Sequence, residues 1–169
     1  MSTDIKTIYL GSLRNTHAAE RQGLEQMERQ LDGLERYPAY AALLRRHIDV
    51  TRGQLERIEQ ALSEAGGSTS IVKEAVTSTA GTIGAAVHAM AQDETLKNLY
   101  AGYAYQFEQI AAYRSLSVIA QRAGFAHHVS WIEQSVREEE EAAEAAAGLI
   151  EPVTEHYLEL TLRGEKADS

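Results

Sequence analysis

Two glutamates interrupt the apolar stripes of two predicted helices. Residues at heptad spacing between 10 and 34 are mostly apolar, but Glu20 lies among them. A second stripe between 129 and 150 contains Glu139 in the same way. Such a stripe faces a protein core. Because burying a lone carboxylate is strongly unfavourable, each glutamate has to be paired, protonated or bound to a metal.

The composition favours helices and excludes several kinds of chemistry. The 169 residues are enough for one domain with a substantial core, and only two prolines occur. There is no cysteine, so disulfides, zinc–thiolate sites, iron–sulfur clusters and cysteine nucleophiles are excluded. The formal net charge of −9 argues against nucleic acid as a partner.

The chain shows no targeting or membrane signal. Its first residues lack a basic flank followed by an apolar run, so we expect no signal peptide. We also expect no membrane span, since no stretch is long and apolar enough. These features predict a cytoplasmic protein.

Apolar periodicity predicts an all-α fold with four long helices near residues 4–35, 38–65, 93–123 and 127–149. Pro38 suits the first turn of the second helix, and glycines at 66, 67 and 124 are stop signals. Pro152 is predicted to open a short C-terminal helix. We expect one domain over 1–163 and a frayed polar tail over 164–169.

The segment from Ile71 to Met90 is poor in charge and rich in small residues. We interpret it as a short helix that crosses along the side of the bundle. Two helical hairpins joined by such a long connection have the topology of a ferritin-like four-helix bundle. A simple up-and-down bundle would need only a short link there.

Six polar residues on the core-facing stripes are candidate metal ligands: Glu20, Glu139, Gln106, Gln109, His17 and His47. Inward glutamates on facing helices are typical of carboxylate-bridged di-metal sites, which also need Glu-x-x-His on two helices. Here Val50 takes the place of an inward glutamate on helix two, and no histidine follows Glu139. Two hypotheses stay open: a site for iron or manganese, and a metal-free hydrogen-bond network.

Aromatic residues predict association of the chain with itself. We expect Tyr9, Tyr100, Tyr105 and Trp131 on the outer surface, where they are too apolar to stay exposed. A two-fold homodimer formed by helix faces follows from this expectation. Nothing in the sequence identifies another protein partner. The His127-His128 pair is interpreted as an exposed helix start.

Several stretches resemble the YciE/YciF-type ferritin-like family of small bacterial proteins linked to stress responses. His17–Gln22 is similar to its small-Glu-basic-Gln motif, and 47–59 resembles its His-x-x-Glu-Thr-x-x-Gln-x-x-Arg-x-Glu pattern. Residues 109–113 resemble Glu-Ile-Ala-x-Tyr, the Glu138-Glu139 pair has a counterpart in the last core helix, and residues 4–7 match the family's opening.

The resemblance implies a ferritin-like bundle that is commonly dimeric and has a proposed di-iron or similar site. Glu20 and Glu139 match family carboxylates, whereas Val50, Gln106 and Gln109 replace family glutamates. We therefore expect a stress-associated protein with a degenerate di-metal site that is non-catalytic or weakly metal-binding. The alternative is a ferroxidase-type protein that binds iron or manganese through Glu20 and Glu139. Whether the protein is an enzyme stays open.

Overall fold

A computed structural model of the chain describes residues 4–67 and 94–168. Four long helices account for most of them: α1 (Ile5–Leu31), α2 (Pro38–Glu64), α3 (Glu94–Arg122) and α4 (Val129–Leu162), with a 3₁₀ helix at Ala126–His128 before α4. These two ranges contain no strand, and the predicted all-α fold is confirmed. The predicted crossover at 71–90 lies outside the described residues. No helix within the described ranges is long and apolar enough to cross a membrane.

The helices pack as two hairpins. Helix α1 packs against α2 and α3, and α4 packs against α3 and α2. Tyr9, near the start of α1, stacks on Phe125, just after α3, with ring centroids 5.0 Å apart. Glu64, the last residue of α2, contacts His128 at the same end. Helices α2 and α3 therefore run parallel, which is the arrangement that a ferritin-like bundle requires.

The glycine and proline signals end and start helices as predicted. Gly66 and Gly124 have φ of 76° and 87°, a region that glycine enters without strain. After Gly124, the Phe125 N–H donates to the Ala120 carbonyl over 2.9 Å, which closes the end of α3. Pro38 lies in the first turn of α2, where a backbone N–H has no acceptor within the helix. The missing N–H of proline therefore costs no helical hydrogen bond there.

Helix α4 differs from the prediction because it continues through Pro152 to Leu162 instead of ending before a separate helix. An internal proline costs about 3 kcal/mol in a helix. Ala146, Val153 and Leu160 are seven residues apart and all buried. Their packing keeps one apolar face in the core on both sides of the proline and offsets that cost. Helix α1 also ends earlier than predicted, at Leu31.

The C-terminal tail was expected to be frayed, but it is held in place. The Tyr37 hydroxyl donates to the Ala167 carbonyl over 2.6 Å, and Arg36 pairs with Glu165 at 2.6 Å. Asp168 accepts a hydrogen bond from the Thr95 backbone N–H at 3.2 Å. A carboxylate in the first turn of a helix satisfies an N–H that has no partner within that helix. The tail therefore joins the α1–α2 loop to the start of α3.

The aromatic residues also differ from expectation. Tyr9 is fully buried, Tyr105 is half-buried and Trp131 is half-buried. The Tyr105 hydroxyl points inward and donates to the Ala19 carbonyl over 2.6 Å. Tyr100 alone of the four is exposed. The expectation fails for the other three residues because heptad spacing identifies a helix face without telling whether that face meets a neighbouring helix.

Replacing Asp168 tests the role of the tail. Asp168→Ala should lower the free energy of unfolding by about 1 kcal/mol, because it removes a cap from the start of α3. The urea unfolding midpoint measures this change. Lys166→Ala, at an exposed position of the same tail, serves as the control and should leave the midpoint unchanged. Equal midpoints for the two variants would show that the tail contacts do not stabilise the bundle.

Candidate functional site

A layer of buried polar side chains crosses the middle of the bundle. It separates an apolar cluster around Leu24 and Tyr40 from a second cluster around Leu13 and Ile58. All six predicted ligand residues lie in or beside this layer, with exposed fractions from 0% to 6%. The prediction that the two glutamates face the core is therefore correct.

Glu20 is bound by a neutral donor from α3. The Tyr113 hydroxyl donates to Glu20 Oε1 over 2.7 Å, whereas Oε2 has no hydrogen-bond partner among the described residues. Burial and, to a smaller extent, repulsion from Glu139 raise the pKa of Glu20 to about 8, although the hydrogen bond from Tyr113 lowers it in part. At neutral pH the folded protein thus favours the protonated form of Glu20.

Glu139 lies against α2. Gln54 Nε2 donates to Glu139 Oε1 over 2.8 Å, and His47 Nε2 lies 3.5 Å from Oε2. Burial raises the pKa of Glu139 to about 7 despite the bond from Gln54. Burial also lowers the pKa of His47 to about 4, so this imidazole is uncharged at neutral pH. His47 therefore supplies no positive charge to the carboxylate beside it.

The two glutamines of α3 differ from the carboxylates in their hydrogen-bond partners. Gln109 Nε2 donates to the Tyr105 hydroxyl, which in turn donates to the Ala19 carbonyl of α1. The Tyr105 ring fills the space beside Gly23, where an added Cβ would lie 2.7 Å from the tyrosine oxygen. Gln106 is buried, and its Oε1 has no partner in the described part of the chain. Gln109 thus joins α3 to α1 through Tyr105.

His17 is directed away from the two core glutamates. Its Nε2 lies 2.8 Å from Oε1 of Glu59, an exposed residue of α2. The sequence places His17 on the same face as Glu20, since three residues span almost one helical turn. The side chain nevertheless reaches sideways to α2, so the structure does not bring it into one ligand set with Glu20.

A di-metal centre does not fit the core. Such a centre needs several carboxylates and histidines whose ligand atoms surround a common point. Over residues 4–67 and 94–168, the one group of three His, Asp or Glu ligand atoms within 4.8 Å of one another is Glu64, His127 and His128, at the end of the bundle. His47 and Glu139 approach each other without a third such ligand.

His128 also differs from the expected exposed helix start. It is buried, and its ring lies between Tyr9, Phe125 and Glu64. Tyr9 and Glu64 lie far from His128 in the sequence, so only the folded chain brings them to its ring.

Sequence analysis missed the tyrosine donors of the layer. Tyr105, Gln109 and Tyr113 are four residues apart on α3, which places them along one face of the helix. That spacing is visible in the sequence, but the sequence alone predicts Tyr105 on the outer surface and assigns no partner to Tyr113. Only the structure identifies their acceptors, Ala19 and Glu20, on α1.

The fold is similar to several solved structures. A protein from Xanthomonas campestris matches with a TM-score of 0.77 at 23% identity, over 94% of this chain and 98% of that chain. The Escherichia coli stress protein YciF matches with a TM-score of 0.69 at 17% identity, over 89% and 96%. The protein YcfI from Rhodopseudomonas palustris matches with a TM-score of 0.67 at 20% identity, over 86% and 94%.

The family comparison covers almost the whole chain. Residues 4–159 match the family described as a domain of unknown function, DUF892. The expected YciF-type assignment is confirmed by this match together with the likeness to YciF. The chain is a member of the DUF892 family.

Proposed function

We propose that this chain is a cytoplasmic, ferritin-like, stress-associated protein whose core carboxylates form a non-catalytic hydrogen-bonded layer. One observation carries the proposal: each carboxylate is held by a neutral donor, Tyr113 for Glu20 and Gln54 for Glu139. Within the described ranges, neither is hydrogen-bonded to a lysine or an arginine. A buried acid with neutral partners favours a proton over a charge.

The proposed link to stress rests on kinship. The E. coli neighbour is called a stress protein. Its identity to this chain is 17%, so the similarity supports a shared fold. A role in stress responses is therefore a part of this proposal for the present chain.

A second candidate function is weak binding of one iron or manganese ion in the core. Three buried atoms favour it, because they have no hydrogen-bond partner within the described ranges: Glu20 Oε2, Glu139 Oε2 and His47 Nε2. They do not all lie within 4.8 Å of one another, so their side chains would have to rotate to share one ion. Two carboxylates and an imidazole are acceptable ligands for these metals, and their charge of −2 balances one divalent ion. The ion would supply redox chemistry, while the three side chains would only hold it.

We also propose that two copies associate through α3. Tyr100, Ala104, Phe107 and Ala111 are all exposed and follow the alternating three- and four-residue spacing of a helix–helix seam, and the exposed Val118 lies seven residues further on. Exposed apolar stripes of this kind mark protein contacts. A two-fold pairing would bury the stripe against its own copy.

The protonated carboxylates predict how stability depends on pH. The pKa of each glutamate rises from 4.5 to about 8 for Glu20 and about 7 for Glu139 on folding. At these two groups the folded state binds more protons than the unfolded chain between pH 4.5 and 8, so they make the free energy of unfolding fall as pH rises through that range. The lowered pKa of His47 acts in the opposite direction between about 4 and 6.5 and reduces the net fall there. Glu20→Gln should remove at least about 1 kcal/mol of this fall, since one pKa unit corresponds to that amount.

Urea unfolding across this pH range measures the difference between the wild type and Glu20→Gln. Glu25→Gln, at an exposed position of α1, is the matched control and should follow the wild-type curve. A difference between wild type and Glu20→Gln that does not change with pH would refute the proposed protonation.

Ferrous iron distinguishes the two candidate functions. The wild type should consume dioxygen no faster than buffer after iron is added, because the core does not assemble a di-metal ligand set. A dioxygen electrode measures this rate. Uptake by the wild type that Glu20→Gln abolishes would instead establish the metal-binding alternative.

A variant with a restored set of carboxylates tests whether these core positions are the remains of a metal centre. Val50→Glu combined with Gln106→Glu and Gln109→Glu should lower stability without metal, because crowded carboxylates repel one another. Added iron or manganese should then raise the melting temperature, since an ion that binds only the folded state stabilises it. If no metal rescues the variant, these positions are not the remains of a metal centre.

The proposed dimer is tested by one exposed residue of α3. Phe107→Glu should yield a sedimentation mass near the 18.6 kDa of a single chain, whereas the wild type should show about twice that mass at micromolar concentration. Leu158→Glu is the matched control, because Leu158 on α4 is 53% exposed and Phe107 is 52% exposed. A wild-type mass near that of one chain would reject the dimer.

A further inference from the structure

We propose that Glu64, His127 and His128 bind a divalent transition-metal cation of the zinc class at the end of the bundle. One ligand atom from each residue lies within 4.8 Å of the other two. Two imidazoles and one carboxylate form a common protein ligand set for zinc, with water in the fourth position. The site is separate from the Glu20–Glu139 layer and does not depend on its protonation.

The spacing of the ligand atoms suits such an ion. Glu64 Oε2 lies 2.7 Å from His128 Nε2 and 3.6 Å from His127 Nε2. In a tetrahedral zinc site with bonds of about 2.1 Å, neighbouring ligand atoms are about 3.4 Å apart. The observed distances lie on either side of that value, so small side-chain rotations would accommodate the ion.

The surroundings orient two of the three ligands. His128 is only 3% exposed, and its Nδ1 lies 2.7 Å from the Tyr9 hydroxyl, which directs Nε2 towards Glu64. Gln60 Nε2 donates to Glu64 Oε1 over 2.8 Å and leaves Oε2 facing the histidines. Hydrogen bonds of this kind to the far side of a ligand strengthen metal binding.

There is also room for the ion and its water. A cavity of about 200 Å³ is lined by the three ligands together with Arg57, Gln60, Ala61 and Trp131. Glu64 is the last residue of α2, where the helix dipole favours a cation. Arg57 opposes the ion by its charge, although its guanidinium is bonded to Glu138 and Ser135. We therefore expect micromolar affinity.

Zinc titration of the full chain, after removal of metal with a chelator, tests the site. Calorimetry should give one ion per chain, and cobalt substitution should give the visible absorption of a tetrahedral site with nitrogen and oxygen ligands. His127→Ala and Glu64→Gln should each weaken zinc binding by at least about tenfold. His127 is 65% exposed on its side chain, so its replacement should leave the fold intact.

Two further variants locate the binding. His156→Ala is the matched control, because His156 is a surface histidine whose Nδ1 lies 3.9 Å from Glu159 Oε2, and this variant should bind zinc as the wild type does. Glu139→Gln should also bind zinc normally, which separates this site from the core layer. The absence of binding, or binding that His127→Ala leaves unchanged, or an equal loss in His156→Ala, would overturn the proposal.

Discussion

The burial of two carboxylic acids in the middle of a four-helix bundle is the constraint on which the other features of the core depend. Each acid accepts a hydrogen bond from a donor that carries no charge, and each donor comes from a neighbouring helix: Tyr113 from α3 and Gln54 from α2. These bonds form only when all four helices are at one register. Polar networks in apolar cores are known to fix register in this way, at some loss of stability.

Much of the fold could be predicted from the sequence, because local signals determine it. Gly66, Gly124 and Pro38 end or begin helices for reasons confined to a few neighbouring residues. The continuation of α4 through Pro152 could not be predicted, since it depends on packing against other helices. The fixed tail also escaped prediction, because Asp168 binds Thr95, a residue 73 positions away.

The candidate site could be predicted in part. Helical periodicity identifies which residues point inward, and it placed Glu20 and Glu139 in the core correctly. It does not identify which neighbour a side chain meets, so it gives no sign that His17 reaches sideways to Glu59. The Glu64–His128 contact joins residues 64 positions apart, and no periodicity within one helix signals such a pair.

The polar layer also divides the apolar interior into two separate cores, one around Leu24 and Tyr40 and the other around Leu13 and Ile58. Over residues 4–67 and 94–168, the buried apolar side chains of one half form a cluster separate from those of the other. The helices themselves and the few polar bonds of the layer carry mechanical coupling between the ends. We therefore expect local opening of one half to expose chiefly its own apolar surface, so that backbone amides at the two ends exchange with solvent as separate cooperative units.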